Sequence, residues 1–83
     1  MPTILRFRGF NIIIFVDDHE PAHVHILGKG TQSTYWLNPP GGPVTAREID
    51  RKLSPNDRRA LEGFLNDNLT VLCERWREID DQR

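Results

Sequence analysis

The chain has 83 residues, 37% of them hydrophobic and 28% charged, with a formal net charge of -1. A chain this short buries only about 60 to 65% of its unfolded surface, which excludes a large enclosed cofactor site and leaves room for one hydrophobic core. The charge balance excludes nucleic-acid binding driven by bulk charge, while a local basic patch stays compatible with it.

The single cysteine, Cys73, cannot form an internal disulfide, which fits a reducing compartment. The first residues show no basic segment followed by an apolar run, and the longest apolar run, residues 12–16, is too short to span a bilayer. A cytoplasmic location with no membrane partner is expected.

Residues 4–8 and 10–16 are rich in β-branched and aromatic side chains and are separated by Gly9, which predicts two strands in a tight hairpin. Asp17-Asp18-His19-Glu20-Pro21 then reads as a loop, since acidic side chains favour turns and Pro21 removes a ladder donor. Residues 23–27 alternate, with Val24 and Ile26 on one face and His23 and His25 on the other, so a third strand presents its histidines together. Gly28-Lys29-Gly30 has hairpin composition, and residues 31–37 predict a fourth strand ending in Tyr35-Trp36-Leu37.

A cluster of breakers, Asn38-Pro39-Pro40-Gly41-Gly42-Pro43, marks a change of texture. Beyond it, Thr45-Ala46-Arg47-Glu48 has the spacing of a capping box and predicts a short helix or turn over residues 45–52. Ser54-Pro55-Asn56-Asp57 supplies an N-cap, a proline at the first helical position and an acid in the first turn. Leu61, Phe64, Leu65, Leu69, Leu72, Trp76 and Ile79 follow at helical spacing, predicting one long helix over residues 55–79 with an apolar stripe. The expected fold is α+β: a single domain with a four-stranded antiparallel meander packed on a long C-terminal helix, its other face open to water or a partner.

Alternate residues on a strand lie about 6.5 to 7 Å apart, so His23 and His25 can share one target. Two readings fit this spacing: a catalytic or ligand pair, or polar residues on the solvent face of a half-buried sheet. In the catalytic reading the simplest chemistry is metal-independent cleavage of RNA, with imidazoles as base and acid. Arg6, Arg8 and Lys29 are the candidate cations for the developing charge, Arg6 and Lys29 as catalytic and Arg8 as a binding residue, with Arg6 and Arg8 sharing one face of the first strand. Glu20 and Trp36 are candidate binding residues, Trp36 through stacking on a base. No cofactor is called for. Two histidines alone fall short of a metal site, and spacing does not single out a third ligand among Glu20, His19, Asp18 and Cys73; a weak metal site at His23 and His25 is the alternative. Cys73 and Trp76 read as core residues.

The opening Met1-Pro2-Thr3-Ile4-Leu5-Arg6, the segment Glu20-Pro21-Ala22-His23-Val24-His25-Ile26, the strand end Tyr35-Trp36-Leu37 and the late Trp76 together resemble the bacterial domain of unknown function 4160 family. Members are small bacterial proteins often encoded beside a second short protein, of the domain of unknown function 2442 family, in pairs proposed as toxin and antitoxin. The resemblance implies that this chain is the toxin component, acting on RNA or translation, with a small antitoxin-like protein as partner. The chain departs from the family's Glu-Pro-Pro-His-Val-His by carrying Ala22. A reading from another class is a non-enzymatic interaction module that pairs with a partner through its open sheet face or an edge strand.

Overall fold

The computed structural model describes residues 3–82. Its elements are β1 (Thr3–Phe7), β2 (Phe10–Ile13), β3 (His23–Gly28), β4 (Thr31–Trp36), β5 (Thr45–Glu48), α1 (Pro55–Asp67) and α2 (Leu69–Asp81). The five strands form one antiparallel sheet in sequence order, and the fold is α+β.

Positive-φ residues close the first two hairpins. Arg8 (φ 51°) and Gly9 (φ 82°) turn β1 into β2, and Lys29 (φ 51°) and Gly30 (φ 74°) turn β3 into β4. Both central residues in the left-handed region match the right-handed twist of the flanking strands. Gly28 precedes the second turn, and a Cβ there would sit 2.5 Å from the Gly9 carbonyl oxygen, so the two turns approach each other backbone to backbone.

The period of two sorts β2, β3 and β4 as expected. Phe10, Ile12, Val24, Ile26, Tyr35 and Leu37 enter the core and meet Leu61, Leu65, Leu69, Leu72 and Trp76 of the helices. Tyr35 is fully buried, and its hydroxyl donates to Glu62 Oε2 at 2.7 Å, which ties the centre of the sheet to α1. At the start of α1, Ser54 Oγ accepts from the Asp57 N–H, so the expected N-cap forms.

Two expectations are corrected. Residues 45–48 form a fifth strand, not a short helix or turn. The capping-box spacing is present, but Thr45 Oγ1 accepts from the Asn38 side chain instead, and β5 pairs with the otherwise open edge of β4. The four exposed residues of β5 are held by backbone pairing, which leaves no periodic signal in their side chains. Asp50 closes this segment: its N–H donates to Ser33 Oγ and its carboxylate accepts from the Gln32 and Lys52 N–H groups. Second, the helical region is two helices. Asn68 (φ -112°, ψ 18°) leaves helical geometry, and its side chain donates to the Phe64 carbonyl at 2.8 Å, competing with the backbone ladder. The apolar stripe nevertheless runs across the break.

Among the described residues no helix is long and apolar enough to cross a membrane.

Candidate functional site

β2 ends at Ile13, earlier than the apolar run suggests, because the chain turns at residues 15–18. The Asp18 N–H donates to the Phe15 carbonyl at 3.0 Å, and the Phe15 N–H donates to Asp18 Oδ2 at 2.9 Å. This reciprocal pair fixes the Asp18 side chain and aims it at the face of the sheet that carries the histidines. The loop then passes under α2, where the Trp76 indole N–H donates to Glu20 Oε1 at 3.1 Å.

His25 lies opposite Ile13 on one side and Thr34 on the other, and His23 lies opposite Trp36. Their ring centroids are 5.2 Å apart. Both Nε2 atoms converge on one carboxylate: His25 Nε2 is 3.2 Å from each oxygen of Asp18, and His23 Nε2 is 3.4 Å from Oδ1. His23 Nδ1 lies 2.9 Å from the Pro21 carbonyl oxygen. A carbonyl only accepts, so Nδ1 is the donor to Pro21, and Nε2 is left facing Asp18, with its lone pair toward the carboxylate in the tautomer this contact selects.

His23 is not an exposed polar residue on the solvent face of the sheet: it is 8% exposed, with Trp36 at 5.7 Å and Trp76 at 5.2 Å between ring centroids. His25 is more open and meets the edge of Phe15. An open groove of about 340 Å³ exposes Asp18, His23 and His25 together with Trp36 and Arg47. The Arg47 guanidinium lies over the Trp36 ring, 5.1 Å from its centroid. His25 and Arg47 also border an adjoining hollow of about 230 Å³. Thr34 lines that hollow, its buried hydroxyl without a hydrogen-bond partner among the described residues.

Of the four candidate third ligands, the structure brings Asp18 to the histidines. Glu20 is taken up by Trp76. Cys73 is half-buried on α2, where burial pushes its thiol upward against the opposing charge of Arg77, so it is not primed as a nucleophile.

The expected cations lie elsewhere. Lys29 sits at the far end of β3, where Nζ pairs with Asp57 at 3.1 Å and lies over the Phe10 ring. Arg6 pairs in register with Asn11, which pairs with Leu27, so Arg6 lies two strands away from β3 and two residues along from His25. Arg8 occupies the turn, not the strand, so it shares no strand face with Arg6; its guanidinium lies over the Phe7 ring. Among the described residues, Arg47 is the cation that lines the groove. Sequence reading misses it because only the fifth strand carries it there, and no local signal in residues 45–48 announces that strand.

No curated protein and no solved structure matches the chain. The family model described as Domain of unknown function (DUF4160) matches residues 9–77, which include the whole Asp18, His23, His25 and Arg47 constellation; the opening Met1-Pro2 lies outside both this match and the described residues. The chain belongs to the domain of unknown function 4160 family.

Proposed function

We propose that the chain is the growth-inhibiting half of a bacterial two-protein module, acting on RNA in the cytoplasm through the groove that joins Asp18, His23 and His25 to Trp36 and Arg47. The observation that carries this reading is the Arg47 guanidinium over Trp36 in the same groove that exposes the histidine–carboxylate cluster. A guanidinium plane backed by an aromatic ring is a surface on which a base stacks, and its N–H groups suit a phosphate. The cluster beside it supplies the base. In this chemistry the ribose 2'-hydroxyl gives up its proton and its oxygen bonds to phosphorus. The bond to the 5'-oxygen breaks, and that oxygen leaves with a proton taken from solvent or an acid of the groove. Arg47 offsets the charge that builds on the phosphorus oxygens. The small partner protein inhibits by covering the groove.

The test is induction of the wild type and of His25→Ala in a bacterial host at matched soluble protein level, followed by mapping of new RNA ends. Arrest with new ends for the wild type alone supports the reading. Unimpaired growth under wild-type expression sinks it.

A further inference from the structure

We infer that Asp18, His23 and His25 form a three-ligand site for a divalent cation of the zinc type, with a coordination position left open to the groove. The first reason is the orientation of His23. Its Nδ1 proton is directed to the Pro21 carbonyl, so its Nε2 lone pair faces a carboxylate oxygen 3.4 Å away. A lone pair facing a carboxylate is repulsive unless a positive charge lies between them. A divalent ion between the two Nε2 atoms and the carboxylate would be shared by all three side chains.

The second reason is distance. Ligand bonds of about 2.1 Å in tetrahedral geometry place neighbouring ligand atoms about 3.4 Å apart. The contacts from the carboxylate to the two Nε2 atoms are 3.2 and 3.4 Å, and one potential ligand atom from each residue lies within 4.8 Å of the others. The 3.4 Å contact of His23 is longer than an ordinary N–H···O hydrogen bond, while the 3.2 Å contact of His25 lies at the upper end of that range.

The third is the surrounding shell. Metal-binding histidines characteristically donate their other ring N–H to a carbonyl or carboxylate, and the Pro21 carbonyl takes that part for His23. The turn bond from Phe15 holds the carboxylate, and Trp36 and Trp76 shield one side. Two imidazoles and a carboxylate suit zinc, and three protein ligands leave a place for water. Such an ion lowers the pKa of its bound water to about 7 and so provides a base near Arg47. Only this catalytic use rests on the RNA reading; binding of the ion stands on the geometry alone.

The experiment uses full-length protein purified without a polyhistidine tag or metal column, stripped with a chelator, then titrated with zinc by calorimetry and with cobalt(II) by visible absorption. The expected result is one ion per chain, a rise in thermal midpoint with zinc, and perturbed ring-nitrogen resonances for His23 and His25 but not His19. Asp18→Asn and His25→Ala should each weaken binding at least about 100-fold, beyond the loss that follows removal of an outer-shell partner. If a variant fails to fold, the resonances of the wild type still identify the ligands. No binding to the wild type, or binding that perturbs His19 and leaves His23 and His25 unchanged, overturns the inference. Zinc binding without RNA cleavage leaves the site standing and removes the RNA reading. Cleavage that persists in chelator, from a protein that binds no zinc, does the reverse.

Discussion

Trp76 donates its indole N–H to the Glu20 carboxylate, 3.1 Å away and 56 residues distant in sequence. This bond fastens the loop that carries the site to a helix otherwise occupied with the core. Trp76→Phe keeps an aromatic ring in the core and removes the donor. The expected cost is about 1 to 2 kcal/mol, read as a lower thermal midpoint. Weaker zinc binding by a folded Trp76→Phe protein is the second readout, because the loop positions Pro21 and Asp18.

Tyr35 makes the corresponding tie at the centre of the sheet. Burial first, and then its hydrogen bond to the Glu62 carboxylate, push its phenol well above the ordinary value. A neutral form favoured by folding contributes stability that is present below about pH 10 and is lost as pH rises above it. Tyr35→Phe should cost about 1 to 2 kcal/mol near neutrality and flatten the alkaline fall in stability. Urea unfolding at neutral and alkaline pH checks both, and zinc affinity should not change.

At the acid end the sign reverses. Burial draws Glu62 upward, but the hydrogen bonds from Arg58 and Tyr35 and the charge of Arg58 outweigh it and hold the carboxyl below its usual value. Asp50 is lowered by the N–H groups of Lys52 and Gln32. Depressed carboxyl pKa values contribute stability that is complete above about pH 4.3 and falls away as pH drops through the folded values. Glu62→Gln should therefore reduce the acid sensitivity of the unfolding midpoint, as measured by thermal denaturation between neutral and acid pH.

How far the sequence foretells this arrangement differs from residue to residue. His23 and His25 are legible because a strand's period of two leaves no other placement, and Tyr35 and Trp36 divide between the faces for the same reason. Asp18 is one of four equal candidates until the turn at Phe15 is known, since its selection depends on backbone geometry and not on spacing. Lys29 is assigned to the site on charge alone. The third strand runs from His23 to the hairpin turn, so its own length already separates Lys29 from His23, and the ion pair with Asp57 holds the Lys29 side chain at the turn. Arg47 is hidden behind a capping-box pattern that the pairing of β5 with β4 overrides. The break at Asn68 is equally local, a side-chain amide competing for one carbonyl within an unbroken apolar stripe.

Gly28 and Gly30 separate two kinds of glycine requirement. A Cβ at Gly28 would meet the Gly9 carbonyl oxygen at 2.5 Å and Phe10 Cα at 2.9 Å, both backbone. Gly28→Ala should therefore destabilise by about 3 kcal/mol through overpacking. At Gly30 nothing obstructs a Cβ, and only its φ of 74° resists, so Gly30→Ala should cost about 1 kcal/mol. Chemical denaturation of the two variants should rank them in that order.

Whether the groove acts on RNA is decided by cleavage of a defined RNA by the purified chain, compared across single variants at the cluster. Cleavage is expected from the wild type and from Lys29→Ala, with strong and comparable loss in Asp18→Asn, His23→Gln and His25→Gln, because the three side chains act as one unit. Intact RNA with the wild type, or undiminished cleavage by all three cluster variants, would contradict the RNA reading.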